Sequence, residues 1–222
     1  MGLYQYTFRF NDGTEKSYEV DPDAAPTAPF DLPFWTKLDY HKCPGCPLPS
    51  VPGAICPTAA SLAEVLTDFQ QRPSTELCDV EVVSRRRSYY ARVSVQTGLR
   101  SLIGLVMPSS GCPILGRLRV LARYHLPFSD HDETLFRVVG SYLMLQYVRE
   151  QKGLAADWEL DGVRRLYEEL QSVDAAFTDR VREAATEDAT VNALVSLFSL
   201  ATMVTLSLQD DLERVLQRLG ED

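Results

Sequence analysis

The chain has 222 residues, of which 45% are hydrophobic and 24% charged, so it can bury a core of its own and does not read as wholesale disorder. Its formal net charge of −9 argues against nonspecific binding to DNA, RNA or anionic lipid, because phosphate affinity comes from clustered Lys and Arg. The expectation is therefore a compact protein with no nucleic-acid or membrane partner.

The opening stretch, MGLYQYTFRF, alternates polar and apolar residues, which is the period of a strand and not the basic-then-apolar pattern of a secretion signal. Tyr4, Tyr6, Phe8 and Phe10 would share one face. Asn11-Asp12-Gly13 supplies the turn, and Ser17 to Val20 returns as the partner strand. From Asp21 to Pro57 the character changes. Most of the chain's thirteen prolines fall there, and Phe30, Phe34 and Trp35 are isolated apolar anchors. Proline removes backbone donors, so regular pairing is not expected, and a loop this long inside a compact domain calls for a staple.

Pro57 suits a first helical position, and Leu62, Val65, Leu66 and Phe69 recur at helical spacing up to Pro73. Leu77 to Val83 and Ser88 to Val95 read as a second hairpin, with Arg85-Arg86-Arg87 at its tip as either a solvated turn or a local anion contact. Beyond Thr97 the spacing predicts helices at Leu99–Met107, Pro113–Tyr124, Asp130–Gln151, Leu160–Val173, Ala176–Ala185, Ala189–Leu206 and Leu208–Leu219. Ser129 with Asp132 three residues on would cap the third. Val191 to Leu206 is too short and too rich in Ser and Thr for a membrane span and reads as a buried helix. The fold class expected is α+β and mostly helical, one domain over 1–222, with the hairpins and proline-rich loop in 1–97 and the helices in 98–222.

Five cysteines, an odd number without a secretion signal, point to free thiols in a cytoplasmic, reducing compartment. Four are followed by proline: Cys43, Cys46, Cys56 and Cys112. Cys43-x-x-Cys46, with Gly45 between, has the separation that turns two thiolates toward one cation. Cys56 would be the third ligand and Cys112 the fourth, with His41 as the local substitute; this set would tie the loop to the helical part. Zinc is the favoured metal and an iron-sulfur cluster of the 4Fe-4S type the alternative. Cys78, without the proline, reads as a small buried hydrophobe.

Rival chemistries are weaker. Prolines 47, 49 and 52 forbid the helix a thioredoxin-like CxxC needs, and Pro47 stands where covalent haem attachment needs His. A thiol-dependent enzyme would use Cys112 at a helix start with His125 brought in by folding. Asp130, Asp132 and Glu133 are better explained by helix capping than by catalysis. No GxGxxG, Walker loop, HExxH or GxSxG is present.

Through HKCPGCPL, SGCP, ARYHLPF and DATVNALV the chain resembles a family of uncharacterised bacterial proteins of unknown function. The resemblance implies a bacterial origin and a single-unit architecture and transfers no reaction or ligand. The residues themselves favour a non-enzymatic cytosolic binding or assembly module with a structural metal, its apolar C-terminal helices open to self-association or a protein partner.

Overall fold

The computed structural model describes residues 2–25, 31–184, 188–195, 197 and 213. The alternating aromatics of the N-terminus form strand β1 (Tyr4–Phe10), and Tyr4, Tyr6, Phe8 and Phe10 are all buried on one face. Gly13, at φ +84°, turns the chain into β2 (Glu15–Val20), and Asp12 braces the turn by accepting the Thr14 N–H at 2.9 Å. The second hairpin, β3 (Leu77–Val83) and β4 (Ser88–Ser94), pairs β3 antiparallel to β1 with Phe8 opposite Val80. The result is one four-stranded antiparallel sheet in the order β2-β1-β3-β4.

Two helices cover the apolar face of this sheet. Helix α1 (Pro57–Phe69) brings Phe69 edge-on to Phe8, with ring centroids 5.0 Å apart. Helix α2 (Val95–Ser109) crosses the sheet so closely at Gly98 that a Cβ there would lie 2.7 Å from the Phe8 ring and 3.0 Å from Val80 Cγ2. Tyr6 links the layers through a hydroxyl 2.7 Å from Ser101 Oγ and 2.5 Å from His125 Nε2. Burial, and then the nearby Arg137 charge, push His125 down to about 3, so its ring is neutral at physiological pH and can accept from Tyr6.

The helical half departs from the sequence reading in four places, the first being α2 itself, which starts at Val95, read from sequence as the end of a strand, and not at Leu99. Pro113–Tyr124 is not one helix but a 3-10 turn (Leu115–Leu118) followed by the short α3 (Arg119–Arg123); Gly116, which favours the coil, lies in its first turn. Helix α4 (His131–Gln151) is capped one residue later than expected, by a reciprocal box in which Asp130 accepts from the Glu133 N–H and Glu133 from the Asp130 N–H. Leu160–Val173 and Ala176–Ala185 are joined in a single α5 (Asp161–Ala184), because nothing between them breaks a helix and Thr178 bonds back to Asp174. Residues 189–195 are helical, as is 197; the rest of Ala189–Leu206 and all of Leu208–Leu219 but Glu213 lie outside the described residues.

The fold is thus α+β, and one continuous apolar cluster runs from Tyr4 on the sheet to Leu194. No helix among the described residues is long and apolar enough to cross a membrane. The Gly98→Ala variant forces Phe8 or Val80 to move and is expected to lose about 1–3 kcal/mol of stability, as overpacked cores do. Urea midpoints of the two proteins, compared at equal slope, measure this.

Candidate functional site

The proline-rich loop is held by few regular hydrogen bonds. A single antiparallel bridge pairs Lys37 with Ile55; around it Leu38 N–H donates to Ala54 O and Cys56 N–H to Thr36 O, each at 2.8 Å. Trp35 and Leu38 are buried anchors. Between the arms of this bridge the Cys43 carbonyl accepts the Cys46 N–H at 3.0 Å, closing the tight turn of the CxxC. Cys56 ends the loop as the N-cap residue of α1, with Pro57 at the first helical position.

A second clamp comes from α5. Arg180 is only 1% exposed, yet no carboxylate pairs with it among the described residues. Its guanidinium donates instead to three carbonyls of the loop: Trp35, Lys37 at 2.7 Å and His41 at 3.3 Å. One turn further on, Glu183 accepts from Tyr40 Oη and stands 3.1 Å from His41 Nε2.

Cys43, Cys46, Cys56 and Cys112 line one small cavity of about 20 Å³, together with Arg180 and Lys42. His41, the local substitute, is not in that lining and is turned to Glu183. Burial raises the Cys43 thiol to about 11, with further upward pushes from Cys56, Cys46 and Cys112 in that order; Arg180 opposes them. Cys56 is also raised by burial, against the pull of the Ala59 and Thr58 N–H groups at the start of α1 and of Arg180. The helix-start environment that the sequence assigned to Cys112 therefore belongs to Cys56, since only a 3-10 turn follows Cys112.

The Arg180 Nε is buried with no hydrogen-bond partner, an orphan donor on a residue that lines the four-thiol cavity. It fits a thiolate as acceptor, and the local chemistry, four soft sulfur donors with the Arg180 cation beside them, fits a soft or borderline metal. As the side chains lie, no three His, Cys, Asp or Glu among the described residues form a group able to hold an ion. Metal uptake would therefore draw the thiols inward by rotation about their side-chain bonds.

Other candidates are placed elsewhere. Cys78 is fully buried under the sheet, its thiol 3.7 Å from Val93 O. His125 is engaged by Tyr6 and lines none of the cysteine cavity. Sequence reasoning missed Arg180 and Lys42. The available signal for Arg180 was a cation on the apolar stripe that runs through Val173 and Phe177.

A model of the family described as a domain of unknown function, DUF6901, matches residues 4–219. No curated protein and no solved structure gives a significant match.

Two outcomes are expected of the metal-free protein. Since the folded Cys43 pKa, about 11, lies above its ordinary value of 9, its contribution is complete below pH 9 and is lost as pH rises through 11. Melting temperatures should fall over that window, less so in Cys43→Ser, with Cys78 adding a similar component. Replacing Arg180 with Met strands three loop carbonyls and should cost about 2–4 kcal/mol, with hydrogen exchange rising first over residues 35–56.

Proposed function

We propose that this chain, which belongs to the DUF6901 family of unknown function, is a non-enzymatic cytosolic binding or assembly module in which Cys43, Cys46, Cys56 and Cys112 hold a structural zinc ion. The observation that carries this reading is the shared cavity: four thiols from three separate stretches of chain line one small space beside a buried arginine with an unused donor. Thiolates, not thiols, bind zinc, and a zinc ion with four thiolates keeps two negative charges in excess. Arg180 is the cation placed to offset them, since its charge acts on both Cys43 and Cys56. When bound, zinc would supply a cross-link among the CxxC turn, the start of α1 and the segment after α2.

The size of the cavity favours zinc over a cluster. About 20 Å³ is little more than the space one water needs, whereas a 4Fe-4S core carries eight atoms. A catalytic role for Cys112 is disfavoured because His125 is committed to Tyr6 and no long helix starts at Cys112.

The binding half of the proposal rests on α4. Phe136, Met144, Tyr147 and Val148 recur on one side of that helix and are 42–71% exposed, an apolar stripe of the kind that meets a protein partner or a second copy.

Purified protein is expected to be colourless with one zinc per chain. Removing it with a chelator should lower the melting temperature, and Cys112→Ser should weaken zinc binding by at least tenfold, about 1.4 kcal/mol. Because raised thiol pKa values make zinc compete with protons, affinity should climb with pH between 6 and 9. Elemental analysis with a chelator competition titration measures all of this; a brown, iron-bearing sample or a zinc-free one refutes the reading.

A further inference from the structure

The chain carries 31 acidic residues against 22 Lys and Arg, so a surface arginine has carboxylates to pair with, and several find one. Arg9, Arg72, Arg92, Arg117, Arg164 and Arg182 all do. Arg85, Arg86 and Arg87 do not: all three are exposed, and none pairs with a carboxylate among the described residues. They sit on the tight turn joining β3 to β4, which is closed by the Ser84 N–H and hydroxyl donating to Arg87 O at 2.8 and 3.0 Å. Three like charges on one turn repel each other, and a bound anion would relieve that repulsion.

Folding adds to this cluster from a distant part of the chain. The end of α3 brings Arg123 and Tyr124 opposite the turn, and the space between them is a cleft of about 340 Å³ also lined by Tyr89. No carboxylate among the described residues lines it, and the Arg123 charge is the one already shared, with Asp23 at 2.6 Å. Tyr124 is 61% exposed despite its size. The volume lies within the range of small-molecule sites.

We propose that this cleft binds a small phosphorylated ligand, independently of the cysteine site. Guanidinium groups match phosphate oxygens in pairs, and only a multiply charged group can satisfy several of them across so short a span. Tyr89 and Tyr124 would flank the organic part of the ligand. A long polyanion is a poorer occupant, because beyond the cleft it meets a chain whose net charge is −9.

Calorimetric titration of the full-length protein with ATP, pyrophosphate and adenosine at low salt tests the site. ATP and pyrophosphate are expected to bind and adenosine not to. The variant carrying Arg85→Ser, Arg86→Ser and Arg87→Ser should weaken both anions by at least about tenfold, and 200 mM salt should weaken them too. If that variant melts lower than the wild type, Arg86→Gln alone carries the comparison. Failure of both anions to bind at millimolar concentration, undiminished binding by a folded variant, or tighter binding of an RNA oligomer than of ATP would each overturn the proposal.

Discussion

A guanidinium almost wholly out of water has to have its donors met, because an unpaired buried charge is among the costliest features a fold can carry. Arg180 meets this requirement with backbone carbonyls of the proline-rich loop, at Trp35, Lys37 and His41. The consequence is mutual. The loop can take this shape only where α5 delivers the cation, and α5 can bury the cation only where the loop presents those oxygens. Burial lowers the Arg180 pKa, and Cys56 and Cys43 are the first groups that push it back up. The clamp and the cysteine cavity are thus electrostatically linked through Arg180, whose Nε is left without a hydrogen-bond partner among the described residues.

Charge is distributed unevenly over the molecule for a related reason. Several arginines are spent in surface ion pairs such as Arg9 with Glu15 and Glu81, each of modest worth. Of those with no carboxylate partner among the described residues, Arg137 and Arg149 donate to backbone carbonyls, Arg180 stands at the thiols, and Arg85 to Arg87 stand at the cleft facing Arg123.

The sheet was legible in the sequence because it depends on local period and turn chemistry. Tyr4 to Phe10 alternate, Gly13 takes the positive φ, and Leu77 to Val83 present Cys78, Val80 and Val82 inward. The helical boundaries were less legible, since α5 runs through Asp174 with no breaker and Pro113 opens a 3-10 turn where periodicity suggested a helix. The four Cys-Pro positions could be picked out by their shared context. Neither Arg180, some 140 residues from its acceptors, nor the meeting of Arg123 with the hairpin tip has any local signature. Contacts between residues so far apart in sequence appear only once the chain is folded.

The most direct measurement of the central claim is X-ray absorption at the zinc edge on freshly purified protein. Four sulfur neighbours at about 2.3 Å are predicted, the distance of a zinc thiolate bond. A first shell dominated by nitrogen and oxygen at about 2.0 Å, or no zinc signal at all, would contradict the account.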